Sequence, residues 1–321
     1  MMKRIIATGI LLAAFFSGCT KNDADASVSV GTNTWTGYES LYLAEAKGYF
    51  SDAVRLQRMS SASEVLQAYR NGKIDMAALT LDEVLILKDQ GYSPKIVLIM
   101  DFSNGGDVIV AKAGIRTMQD LKNKRVGFEN TALGAYVLER ALELNGMHFS
   151  DIIALPAAYS DHLHFYQNDI VDAVVTFEPA RTQLLTAGAH QIFDSSMIPG
   201  EIVDVLVVRE AFLKQHPHLV KTVIDGWQQA YDFIDKNPKD ATAIMADNQK
   251  ITEKEFADSL TGLELPDRAK NLAYLNGPSP RLLDTLQNLY RVMKEKHLLS
   301  PSGEIRLNDL FYPRQAELMV Q

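Results

Sequence analysis

From residue 28 to about residue 208, short apolar runs alternate with stretches of helical period. Residues 28–32, 54–59, 74–79 and 96–100 read as strands. Helices are expected over 40–47, 62–71 and 82–90, stopped by Gly48, Gly72 and Gly91. This alternation argues for parallel βαβ units. It continues through strands at 125–129, 152–155, 173–177 and 191–193, with helices at 134–145, 162–168 and 179–187 between them. A last strand is expected over 202–208. Beyond 209 the strand signals stop, and helices follow one another at 217–236, 238–248, 253–263, 267–275 and 281–297. In the first of these, Val220, Val223, Ile224, Trp227, Tyr231 and Ile234 fall on one face, which marks a core stripe.

Composition adds exclusions. The chain has 321 residues, 47% hydrophobic and 22% charged, which is ordinary globular usage. The length suits two domains or one large α/β domain. A net charge of −8 gives no general attraction for phosphate backbones, so nucleic acid is not an expected partner. The single cysteine excludes an internal disulfide and any multi-cysteine metal site.

That cysteine sits in the N-terminal segment. Lys3 and Arg4 precede an apolar run over 5–16, too short to cross a roughly 30 Å hydrocarbon core. The run ends in Phe16-Ser17-Gly18-Cys19, which resembles the lipobox of bacterial lipoproteins. The resemblance implies a signal peptide over 1–18, lipidation of Cys19 and anchoring to a membrane. Residues 19–27, small and polar, would tether the lipid to the folded body. Removing residues 1–18 takes Lys3 and Arg4 and no acid, which moves the net charge from −8 to −10. The expected location is the periplasm or the cell surface. Thr20 after the cysteine points to the outer membrane if the cell is Gram-negative. No ATP, NAD or CoA is at hand there, and no cofactor is expected.

Four motifs in order carry a second resemblance. They are Trp35-Thr36-Gly37-Tyr38 running on to Leu41-Tyr42-Leu43-Ala44 and Gly48-Tyr49-Phe50; Asn71-Gly72-Lys73-Ile74-Asp75-Met76-Ala77; Gly114-Ile115 through Asp120-Leu121-Lys122 to Val126-Gly127; and Val171-Asp172-Ala173 through Phe177-Glu178-Pro179. Together they resemble the nitrate/sulfonate/taurine-type solute-binding proteins of ABC importers, a superfamily that also includes binders of thiamine-precursor pyrimidines. The resemblance implies a type II periplasmic-binding-protein fold: two α/β lobes with a solute cleft between them and a helical C-terminal part. It implies a monomer that delivers solute to a permease and its ATPase and does no chemistry on it. A sensing accessory of a membrane receptor is the alternative. Strands at 107–112 and 202–208 are the expected crossovers. They put 28–111 and 204–321 in the first lobe and 112–203 in the second.

Ligands in open α/β sheets sit beyond the carboxyl ends of strands, which selects the candidate residues. Trp35 and Tyr38 offer aromatic faces after the first strand. Thr80 ends the third strand, with Asp82 as the expected helix cap. Ser103 and Asn104 offer polar groups beside Gly105 and Gly106, where a hinge can turn, while Asp101 and Asp107 are expected to balance backbone N–H groups. Asn130 and Thr131 stand before a helix whose N-terminus suits an anionic head. Tyr159 is a further wall. Glu178 is expected to point its carboxylate into the cleft and suit a protonated amine. These residues favour an amine-bearing, zwitterionic or pyrimidine-like solute over nitrate. His162 with His164, and His216 with His218, are poorly spaced for metal, and no metal site is expected.

Overall fold

A computed structural model describes residues 26–129, 132–300 and 304–319. The signal segment, Cys19, Asn130 and Thr131 lie outside the described residues. The chain forms two mixed β-sheets flanked by helices. Among the described residues, eleven strands run in chain order: β1 (Val28–Thr32), β2 (Val54–Arg58), β3 (Met76–Thr80), β4 (Pro94–Ser103), β5 (Val108–Ala111), β6 (Arg125–Phe128), β7 (Ile153–Pro156), β8 (Ala173–Thr176), β9 (His190–Asp194), β10 (Val203–Arg209) and β11 (Leu263–Glu264). The first sheet has the order β11-β4-β10-β3-β1-β2 and the second β7-β6-β8-β5-β9.

Each sheet has a parallel core, as the βαβ pattern requires: β1 with β2 and β3, and β6 with β7 and β8. The sequence reading of parallel units is incomplete, because each sheet also holds an antiparallel insert. β10 lies between β3 and β4, antiparallel to both. β5 lies between β8 and β9 in the same way. Both strands arrive from the other lobe and enter their sheet against its direction. Residues 108–111, which the sequence reading gave to the first lobe, pair within the second sheet. Strand signals also do not end at 209, since β11 adds two residues to the edge of β4.

Burial follows the apolar pattern. β3 is buried throughout, and six of the seven residues of β10 are buried. The helix Pro217–Lys236 buries Val220, Val223, Ile224 and Trp227 in the first core. A separate core under the second sheet collects Ile109, Val126, Val137, Ala173 and Phe193. The C-terminal helices are tied to β4 by side chains standing in for a sheet partner. Asn271 Oδ1 accepts from Ile99 N at 2.7 Å and Asn271 Nδ2 donates to Ile99 O at 3.1 Å. Gln315 Nε2 donates to Val97 O at 2.6 Å. These bonds satisfy edge groups that would otherwise be buried unpaired.

The lobes join through two passages, 104–107 and 195–202, which bond to each other. Ser103 Oγ lies 2.8 Å from Ser195 Oγ and accepts from Asp107 N at 3.2 Å. Ser195 Oγ also accepts from Gly105 N at 2.7 Å, and Ser195 N donates to Asp107 O at 2.9 Å.

Candidate functional site

Strand register builds one wall of the seam between the lobes. Asp204 of β10 stands opposite Thr80 of β3 on one side and Asp101 of β4 on the other. Three polar side chains therefore meet where β3 and β4 reach their carboxyl ends. The turn after β1 adds Trp35 and Tyr38. Trp35 Nε1 donates to both oxygens of Asp101, at 3.2 and 3.1 Å. Tyr38 Oη donates to Asp204 Oδ1 at 2.5 Å. Gly37 makes this approach possible, because a Cβ there would come within 1.8 Å of Asp101 Oδ2.

The second lobe supplies the other wall. Glu129 follows β6, Thr176 and Phe177 close β8, and His162 opens the helix His162–Gln167. Gly134 lets the neighbouring helix pass over this wall, since a Cβ there would meet Glu129 O at 2.3 Å. Phe177 stands edge-on to Trp35 across the seam, with ring centroids 5.4 Å apart. Behind it Phe177 stacks on Tyr159 at 4.5 Å and 11°.

Between the walls lies a cavity of about 40 Å³, lined from both lobes. A water needs roughly 10–15 Å³ on such a measure, so the lobes stand nearly closed. The polar lining includes Asn33, Thr80, Glu83, Asp107, Glu129, His162, Thr176 and Asp204, with no Lys or Arg among the described residues that line it. Burial raises the pKa of every one of its acids. Asp107 and Glu129 are each pushed up to about 7. Asp204 is raised well above the usual carboxylate range by burial and by the Asp101 charge beside it. Glu83 is raised in the same way by burial and by Asp82. His162 is driven down to about 4 by burial and stays neutral. Four lining groups have an atom without a partner: Thr80 Oγ1, Asp107 Oδ2, Asp204 Oδ2 and His162 Nε2. Unpaired buried polar atoms are costly in a finished core and mark places where something else is meant to bond.

Of the residues singled out in the sequence, Trp35, Tyr38 and Thr80 line this cavity. Thr80, and not Asp82, occupies the N-cap position of the helix Leu81–Asp89, its N–H donating to Glu83 Oε2 at 3.1 Å. Four others stand elsewhere. Ser103 is fully buried in the hinge, its hydroxyl bonded as above. Asn104 is exposed and its N–H donates to Gly262 O. Tyr159 backs Phe177, and its Oη accepts from Ala180 N at 3.2 Å. Glu178 does not line the cavity: its carboxylate accepts from Thr182 N at 3.0 Å and Thr182 Oγ1 at 3.1 Å, at the start of the helix Ala180–Thr186. Helix capping has captured the group that the sequence reading aimed at the solute. Asp101 does not balance backbone N–H groups but takes the Trp35 indole.

Sequence reasoning missed Asp204, Glu83, Glu129 and His162. A signal was there for the first: Asp204 is the lone charge inside Ile202–Val208, where a buried strand otherwise admits only apolar residues. The described residues hold no group of three or more metal-ligating side chains and no helix long and apolar enough to cross a membrane.

The model of the NMT1/THI5-like family matches residues 35–241. The chain belongs to this family. A putative binding protein of Brucella abortus is 25% identical over 62% of this chain and 68% of its own length. The taurine-binding periplasmic protein of Escherichia coli is 23% identical over 82% of this chain and 86% of its own. Among solved structures, the alkanesulfonate-binding protein of Xanthomonas axonopodis pv. citri bound to MOPS superposes with a TM-score of 0.75 at 16% identity, covering 90% of this chain and 98% of its own. The desulfurization enzyme DszB superposes with a TM-score of 0.65 at 14% identity, covering 90% of this chain and 98% of its own. The two-lobed periplasmic-binding-protein fold is therefore shared, including with an enzyme, and the choice of ligand rests on the residues of each cleft.

Proposed function

We propose that this family member is a solute-binding protein that captures a small cationic, amine-bearing organic solute between its lobes and passes it to an ABC permease with its ATPase. The observation that carries this reading is the acidic lining of the cleft: Glu83, Asp107, Glu129 and Asp204 converge there with no Lys or Arg among the described lining residues. A sulfonate or nitrate would face four acids without a counter-charge, while a protonated amine meets the groups it needs. Trp35 and Phe177 supply apolar and cation-facing ring surface. Because both lobes contribute acids, a bound cation favours the closed form over the open one, which is what drives a hinge to shut. In this reading the solute leaves unchanged, and Cys19 carries the lipid that keeps the protein at the outer face of a membrane.

A thermal-shift panel tests the reading. At pH 8 a cationic amine should raise the melting temperature as its concentration passes its dissociation constant, while taurine and nitrate should not. A shift with taurine alone would overturn the assignment of charge.

A further inference from the structure

Unpartnered lining atoms lie on both walls: Thr80 Oγ1, Asp107 Oδ2 and Asp204 Oδ2 on the first-lobe and hinge side, and His162 Nε2 on the second-lobe side. Asp204 is 2% exposed and offers Oδ2 from the first lobe, its Oδ1 being taken by Tyr38. His162 is 1% exposed and offers Nε2 from the second. The His162 ring has Nδ1 at 3.0 Å from Thr176 Oγ1, and that hydroxyl reaches Phe177 O as donor at 3.5 Å. With the Thr176 proton directed to Phe177 O, Nδ1 carries the imidazole proton and donates to Thr176. The ring also bonds the Ala157 backbone, and Nε2 is left as a lone pair on a side chain that lines the cavity. Glu129 lines the same wall and adds a second acceptor there.

Both walls therefore present acceptors, and a solute with one ammonium group satisfies only one of them. We infer that the solute carries two nitrogen donor groups, a cationic one received by Asp204 Oδ2 and a second received by His162 Nε2, so that closure of the lobes requires both. This deepens the cation reading of the same cleft and rests on it. It makes His162 a specificity-determining residue. A lone amine leaves His162 Nε2 buried and unpaired in the closed form, and a closed site discriminates strongly against a ligand that leaves its polar groups empty.

The test is calorimetric titration with α,ω-diaminoalkanes of three to six carbons, and with monoamines of equal heavy-atom count. The best diamine should bind wild type about tenfold or more tighter than its matched monoamine. His162→Phe should remove that advantage by costing the diamine more than the monoamine, while His162→Gln, which keeps an acceptor oxygen, should retain part of it. Asp204→Asn should weaken both ligands. Melting curves of each variant report folding, and the wild-type comparison stands without any variant. Monoamines binding as tightly as every diamine would overturn the two-donor inference and leave the cation reading intact. So would an equal loss for both ligands in folded His162→Phe. Binding of taurine with no binding of any amine would overturn the cation reading itself.

Discussion

Trp35 of the first lobe meets Phe177 of the second edge-on, with ring centroids 5.4 Å apart and planes at 79°. The contact exists only while the lobes are together, because the two rings follow β1 and β8, strands of different sheets. Such a pair contributes about 0.5–1.5 kcal/mol beyond its buried area. Phe177→Leu should therefore weaken solute binding by roughly 2- to 10-fold through loss of closed-state stability. The melting temperature of the ligand-free protein should move little. Calorimetry and melting curves on the one variant check both halves.

Proton competition gives the second prediction. Asp107 and Glu129 are held up to about 7, and Asp82, Glu83, Asp101 and Asp204 are raised by burial beside them. A cation must displace these protons, so its affinity should fall as pH drops from 8 through 7 to 6, by up to about tenfold per unit for each proton released. The ligand-free protein should respond in the opposite sense. Its folded state holds these protons to higher pH than the unfolded chain, so the stability they contribute is present near pH 4 and lost as pH rises through 7. His162, driven down to about 4, opposes this below pH 6.5, as one group against several. Melting curves from pH 5 to 8, with and without benzylamine, report the sign.

Gly37 is fixed by the acid it sits beside. Gly37→Ala puts a methyl 1.8 Å from Asp101 Oδ2 and should cost more than about 2 kcal/mol, with loss of solute binding. Gly114→Ala, with nothing within 4 Å of the added carbon, should stay within about 0.5 kcal/mol of wild type. Urea denaturation of the two variants makes the comparison.

Lys296 and Glu139 pair at 2.6 Å across the lobes, away from the cleft. Their side chains are 26% and 15% exposed, so the pair is screened by solvent and salt. A double-mutant cycle of Lys296→Ala and Glu139→Ala should show about 0.2–1 kcal/mol of coupling in solute affinity at low salt, fading at 1 M.

Glu178→Gln should leave amine affinity within about twofold, since its carboxylate is spent on Thr182. It should lower stability by about 1 kcal/mol through the weakened cap. A titration beside a melting curve separates the two effects.

Much of the fold was legible because burial writes itself as period. Helix Pro217–Lys236 has the bounds its Pro217 and apolar stripe imply, and β1 the bounds of its short apolar run. What stayed hidden was direction: the apolar run 202–208 reads alike whether it lies parallel or antiparallel, and only the return from the other lobe reverses it. The cleft was half legible. The Trp35–Tyr38 turn announces itself by aromatic and glycine content. Asp204 is set by the register of three strands distant in sequence, which no local pattern encodes. Glu178 misled because a carboxylate before a helix serves a cap as well as a ligand, and Thr182, four residues on, decided it.

A crystal structure of the protein grown at pH 8 with benzylamine or a diaminoalkane tests the central claim most directly. The ligand should lie in the cleft with a nitrogen within hydrogen-bond distance of Asp204 Oδ2 and Tyr38 still on Oδ1. An amine found only outside the cleft, or an anion seated among Glu83, Glu129 and Asp204 in its place, would contradict it.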